Sequence, residues 1–286
     1  MGTVLQELVS LLALERIEHN LFRGQSQDLG WGRVFGGQVL GQALSAAAQT
    51  VPEGRVVHSM HGYFLRPGLT DKPIVYDVDR IRDGQSFTTR RVVAIQGGQA
   101  IFSMSASFQG VEDGFDHADP MPVAPDPDTL LSERELAARI AHMIPEPLRT
   151  QVVAERPIEV RPVVPMNPLR PTVAPPTREL WYRTSGPLDD RPALHQYMLA
   201  YASDFNFLGT SMQPHGVSWL SPGMQVASLD HAMWFHRPFR FDDWLLYVID
   251  SPSASGARGF VRGRFFDREG RLVASCAQEG LIRRHG

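Results

Sequence analysis

Apolar and polar positions change period several times along this chain, and each change marks an element. Leu5, Leu8, Leu11, Leu12 and Leu14 recur among Gln6, Glu7 and Ser10 at helical spacing, which predicts a short amphipathic helix. A β-like stretch from Arg16 to Ser26 follows. The run from Gly36 to Ala48 is rich in Ala and Leu and almost apolar all round, so it reads as a buried helix that Pro52-Glu53-Gly54 stops. Three strands come next, Ile74 to Arg82, Ser86 to Gln96 and Gln99 to Gln109, with Asp83-Gly84 and Gly97-Gly98 as hairpin turns. A buried helix beside antiparallel strands is an α+β pattern.

The pattern then recurs. Met60 to Pro67 (Met-His-Gly-Tyr-Phe-Leu-Arg-Pro) is answered by Asp230 to Pro238 (Asp-His-Ala-Met-Trp-Phe-His-Arg-Pro), and three β-rich stretches follow each. In the second half these are Leu245 to Ser251, Gly259 to Phe266 and Arg271 to Ile282. Ahead of them lie a restart near Ala154 to Val163, a strand over Arg178 to Arg183 and a second central helix over Ala193 to Ala202. A period of about half the chain means two copies of one domain rather than a solenoid. Between the copies the composition shifts: 13 of the 22 prolines fall between Pro120 and Pro176, around a short helix candidate, Ser132 to Met143. That segment reads either as a lid or as a crossover linker wrapping the surface, and proline richness favours the linker. The expected organisation is residues 1–115, a linker over 116–153, and residues 154–286.

Composition narrows the function classes. Hydrophobic content of 43% and charged content of 21% are those of a globular protein, and a net charge of -3 gives no basic field for nucleic acid. Cys276 is the only cysteine, so no internal disulfide or multi-cysteine metal site forms, and a reducing, cytoplasmic setting is expected. Met1 to Leu14 lacks the basic start and unbroken apolar core of a signal peptide, and no apolar run reaches membrane-spanning length.

Several catalytic classes then drop out. Gly24-Gln25-Ser26-Gln27-Asp28 and Gly209-Thr210-Ser211-Met212-Gln213 lack the second glycine of a serine-hydrolase elbow. His58, His61, His231 and His236 fall in no metal-ligand spacing, and isolated histidines beside aromatics read as satisfied core or interface residues. Phosphate-cradling glycine motifs are missing too. No metal and no cofactor are expected. Cys276 in its apolar run reads as a small buried hydrophobe.

A difference between the copies remains. Asp204 ends the second central helix, where it is either a cap or a functional acid. Ser228 aligns near Val57, and Gln278 near Ala106, so two polar residues replace two apolar ones at matched places. A site built in one copy leaves that asymmetry.

At these residues a resemblance becomes specific. Ser228 to Phe239 (Ser-Leu-Asp-His-Ala-Met-Trp-Phe-His-Arg-Pro-Phe) resembles the signature of the type II acyl-CoA thioesterases, the double hot-dog family. Phe35 to Ala43, Ser59 to Pro67, Ala202-Ser203-Asp204 and Gln278-Glu279-Gly280 are similar to that family as well, from about Leu14 to Arg283. The resemblance implies two tandem hot-dog folds, each an antiparallel sheet wrapped around a central helix. It implies hydrolysis of medium- to long-chain acyl-CoA by a positioned water, with Asp204 and Gln278 in the family's Asp and Gln places. Ser228 stands where the family's best-known members have Thr; the hydroxyl is kept and a methyl is lost. A homo-oligomer, dimer or tetramer, is implied also. Gly36 and Gly37 are candidates for close substrate approach or for helix–sheet packing, and Phe205, Phe207, Met233 and Trp234 for walls of an acyl tunnel or for plain core. Arg66 and Arg237 read as phosphate ligands or as a repeated structural pair. The competing readings are a hot-dog enoyl-CoA hydratase, which needs an Asp–His pair, and an acyl-CoA binding module without turnover. The ending Arg284-His285-Gly286 is no Ser-Lys-Leu-type address.

Overall fold

The computed structural model describes residues 3–144, 146 and 148–285. Met1, Gly2, Pro145, Pro147 and the terminal Gly286 lie outside the described residues.

Helix α1 (Val4–Leu12) starts at a capping box: the Thr3 hydroxyl accepts from Gln6 N–H, and the Gln6 side chain accepts from Thr3 N–H. Its Leu5, Leu8 and Leu12 stripe is buried, as the periodicity predicts. The β-like stretch is two strands, β1 (Glu15–Glu18) and β2 (Leu21–Gly24). Helix α2 (Gly36–Ala48) has the predicted bounds and is buried from Gly37 to Ala47. Its two buried amides find partners: Gln42 donates to the Leu11 and Gln25 carbonyls and accepts from the Tyr76 hydroxyl, and Gln38 donates to the Gln25 carbonyl.

Strands β3 (Arg55–Phe64), β4 (Ile74–Asp83), β5 (Phe87–Gln96) and β6 (Gln99–Gly110) complete the first half. The proline-rich segment holds α3 (Glu133–Arg139) and α4 (Leu148–Val153). The second half contains β7 (Ile158–Pro162), β8 (Thr177–Thr184), α5 (Pro192–Ser203), β9 (Met224–Ser228), β10 (Asp230–Phe235), β11 (Leu245–Ser255), β12 (Arg258–Phe266) and β13 (Leu272–Arg284). All strands join one antiparallel sheet in the order β1-β2-β4-β5-β6-β3-β10-β13-β12-β11-β8-β7, with β9 on β13. The order is a palindrome about the β3–β10 seam, where Met60 faces Met233. Each half is a hot-dog fold, a sheet wrapped around one helix, and the two central helices pack on each other inside.

The repeated Arg-Pro has a structural job in both halves. Arg66 donates to the Ala100 carbonyl and Arg237 to the Leu272 carbonyl, each at 2.7 Å. The seam strands differ, however. β3 is continuous with an irregularity between Val57 and Ser59, whereas the matching stretch breaks at Leu229 into β9 and β10. The proline-rich segment is fully exposed over residues 111–120 and is held to the second half by ion pairs of Asp116 with Arg237 and Asp119 with Arg264.

The helix–helix contact is close because α2 offers glycines. A Cβ on Gly37 would lie 2.1 Å from the Tyr201 carbonyl oxygen, and one on Gly41 would lie 3.1 Å from that of Tyr197. Advancing along α2 thus means retreating along α5: the helices are antiparallel. The N-terminus of α2 meets the C-terminus of α5, and Asp204 sits at that junction.

Candidate active site

Asp204 is the C-cap of α5, an unfavourable end of that helix for a negative charge, because the dipole is negative there too. The opposing helix compensates. The backbone N–H of Gly37, in the first turn of α2, is close enough to the Asp204 carboxylate to favour its ionised form. A Cβ on Gly36 would lie 2.6 Å from Asp204 Oδ2, so only glycine lets the helix start this close to the acid. Gly36 and Gly37 therefore serve the α2–α5 contact and the approach to Asp204 together, and Gly36 also borders the Phe64 ring.

Ser228 is the last residue of β9 and pairs with Gly280 of β13. Gln278 lies two residues from Gly280 on β13 and so points to the same face. The three candidates converge: Gln278 Nε2 donates to Ser228 Oγ at 2.7 Å, and Ser228 Oγ lies 3.4 Å from Asp204 Oδ1. Gln278 is buried, while Asp204 and Ser228 are half-buried and keep access to solvent. At the matched places of the first half, Val57, Met60 and Ala106 are buried and apolar, and Met60 faces Ala106 across β3 and β6.

Two further polar residues belong to the group and escape sequence reasoning. His231, fully buried, places Nδ1 2.7 Å from Gln278 Oε1 and Nε2 3.0 Å from Ser203 Oγ. The signal was the alignment that compares Ser228 with Val57: it also sets His231 against Met60, opposite the partner of Gln278. Burial pushes the Asp204 carboxyl above the ordinary carboxylate range, although the neighbouring His231 imidazole first, and then the polar groups of Gln278, Gly37 and Ser228, pull it back in part. Burial pushes the His231 imidazole below its ordinary value.

Phe205 follows Asp204 and stacks on Phe35 with centroids 4.2 Å apart, with Tyr201 and Trp31 edge-on at 5.5 and 6.5 Å. These rings make an aromatic wall beside the acid. Phe207 and Met233 are core, the first against His231. Trp234 is a correction to the expected tunnel wall. On β10 the buried positions are His231, Met233 and Phe235, so the alternation turns Trp234 to the outer face, against His61 at 5.1 Å. Just past the wall, Asn206 in a left-handed conformation holds the turn; it donates to Glu133 of α3 and accepts from Arg178. Among the described residues no three His, Cys, Asp or Glu side chains converge in a metal-binding group.

Comparison with known proteins identifies the family and the fold. A family model described as acyl-CoA thioesterase matches residues 147–281, and one described as acyl-CoA thioesterase N-terminal domain matches residues 26–109. The chain is 45% identical to "Acyl-CoA thioesterase 2" of Haemophilus influenzae over 285 residues, covering 99% of each chain. The crystal structure of an acyl-CoA thioesterase II from Mycobacterium marinum is 41% identical, with a TM-score of 0.79 over 98% of this chain and 99% of that one. A hot-dog protein from Alicyclobacillus acidocaldarius, 19% identical, has the same fold at a TM-score of 0.77, covering 98% of this chain and 99% of that one. Family models on both halves and a full-length relative at this identity place the chain in the acyl-CoA thioesterase family.

Proposed function

We propose that the protein hydrolyses medium- to long-chain acyl-CoA to free fatty acid and CoA through a water positioned by Asp204, Ser228 and Gln278, with no covalent intermediate. The observation that carries this reading is the convergence of those three side chains against the N-terminus of α2, in one half of a duplicated fold. A thioester carbonyl is electrophilic and its thiolate leaves readily, so an activated water suffices. Asp204 takes a proton from the water, the water oxygen attacks the carbonyl, and the tetrahedral intermediate expels the thiolate, which recovers the proton. Ser228 and Gln278 orient the water. Such positioned proton transfer contributes on the order of 10² to 10⁴ in rate.

The rings of Phe35, Phe205, Tyr201 and Trp31 beside Asp204 suit an acyl chain. A hydratase needs a histidine with a free nitrogen facing the substrate, whereas both His231 nitrogens are engaged, by Gln278 and Ser203. The catalytic set falls within residues 154–286, completed by Gly36 and Gly37 from the first hot-dog unit. Self-association into a dimer or tetramer is supported by the exposed Tyr63, Leu65 and Trp234 near the β3–β10 seam. No described helix is long and apolar enough to cross a membrane. A cytoplasmic setting fits the buried free thiol of Cys276.

Thiol release from a chain-length series of acyl-CoAs, by the native protein and by Asp204→Asn, tests the reading. Release is expected to fall by about 10³-fold in the variant with the fold intact. Native protein that binds acyl-CoA without releasing thiol refutes it.

A further inference from the structure

Gln278 raises a question of direction. The two ends of a carboxamide have the same shape and opposite hydrogen-bonding sense, so something must decide which end meets Ser228. Gln278 is buried, so its own neighbours decide.

Those neighbours form a chain: Ser203 Oγ to His231 Nε2 at 3.0 Å, His231 Nδ1 to Gln278 Oε1 at 2.7 Å, Gln278 Nε2 to Ser228 Oγ at 2.7 Å, and Ser228 Oγ to Asp204 Oδ1 at 3.4 Å. An ionised carboxylate only accepts, so Ser228 must donate to Asp204. The Ser228 oxygen then accepts, which requires the NH2 end of Gln278. The Oε1 end in turn needs a donor, which only Nδ1–H supplies. With the ring proton on Nδ1, Nε2 is bare and accepts from the Ser203 hydroxyl. Ser203 also lies 2.9 Å from the Ala200 carbonyl, the competing acceptor for its single proton.

We propose that His231 is a positioning residue of the thioesterase reaction: its neutral imidazole, protonated on Nδ1, turns the Gln278 amide so that its NH2 end faces Ser228 and the water. This rests on reading Asp204, Ser228 and Gln278 as the catalytic set. With the opposite tautomer the amide flips, Ser228 spends its proton on Gln278, and Asp204 loses the Ser228 donor. The burial that lowers the proton affinity of His231 keeps the ring in the neutral form that the chain requires. The duplicated half supports the pairing independently. There Met60 and Ala106 stand opposite each other where His231 and Gln278 stand here, so the histidine is present where the glutamine is and missing where it is missing.

The test uses His231→Asn, which keeps an amide donor near the place of Nδ1, and His231→Leu, which does not. The expected result is a kcat loss of about 10²-fold for His231→Leu with KM little changed, and recovery of most of that loss in His231→Asn. On a Gln278→Ala background His231→Leu is expected to cost nothing further, because its effect passes through Gln278. Melting temperatures of all variants separate folding losses from these. Equal losses in the Asn and Leu variants, or a Leu effect that persists undiminished without Gln278, overturn the proposal. Magnetic resonance of isotope-labelled histidine nitrogens in the native protein reads the tautomer without turnover, and a bare Nδ1 overturns it likewise. Native protein that releases no thiol from acyl-CoA sinks the hydrolase reading, while the tautomer measurement still decides the orientation of Gln278.

Discussion

At the scale of single residues, the informative feature is a carboxylate placed where it is uncomfortable. Asp204 lies at the wrong end of its own helix and at the right end of the opposing one, and burial raises its proton affinity in spite of the donors around it. Two consequences follow from that sign. Turnover needs the ionised acid, so kcat/KM is expected to fall on the acid side with a midpoint above the ordinary carboxylate value. A group whose folded-state pKa lies above its unfolded value destabilises the fold once pH exceeds the unfolded pKa, and the full cost is reached above the folded one. Asp204→Asn is therefore expected to melt no lower than the native protein at pH 8, with any advantage vanishing as pH falls below the ordinary carboxylate range. A variant that melts well below native at pH 8 contradicts this account of the site. Ser228 keeps the hydroxyl on which the chain of bonds turns, and a hydroxyl is what the geometry uses.

At the scale of elements, the contact of α2 with α5 is the hinge of the architecture. The first turn of α2 is Gly-Gly because the carbonyl of Tyr201 and the carboxylate of Asp204 occupy the space in which side chains would stand. Gly37→Ala forces the helices apart against backbone, a shift that no rotamer relieves, and is expected to cost about 3 kcal/mol or more. Gly110→Ala, with open space around its Cβ position, serves as the control and is expected to change little. Denaturant unfolding of the two variants checks the difference. Gly37→Ala is also expected to lose thiol release beyond its stability loss, because the same displacement removes the N–H that meets Asp204. The element that sequence periodicity does not show is the break at Leu229. There the Asp230 carboxylate accepts from Glu279 N–H, and the chain leaves β9 to resume as β10.

At the scale of the whole molecule, duplication has divided the labour. One sheet runs through both halves, and the central helices bury each other, so neither half is a complete body. All three proposed catalytic side chains belong to the second half, yet the N–H that meets Asp204 and the Phe35 ring that stacks on Phe205 come from the first. Residues 1–115 and 154–286 made as separate chains are expected to release no thiol from acyl-CoA, alone or before they reassociate. Activity in the isolated second half at the level of the intact chain rules this dependence out.

Much of this was legible in the residues. The bounds of α2, the hairpin strands and the duplicated order come from periodicity, from Ala and Leu content and from Gly and Pro punctuation, which act within a few residues of themselves. Ser228 and Gln278 stand out because their counterparts in the other copy are apolar, and Asp204 because an acid ends an otherwise apolar helix. Other features depended on register. Trp234 and His231 are three residues apart on one strand, and only the pairing with β3 and β13 decides which faces the core, since a shift of one residue exchanges the faces. The local chemistry of the chain thus determined its elements and its inventory of reactive groups. Tertiary structure alone decided their meeting: chain segments 24 and 50 residues apart come together because two antiparallel helices and a broken strand reverse the chain onto one junction. No local interaction encodes that distance.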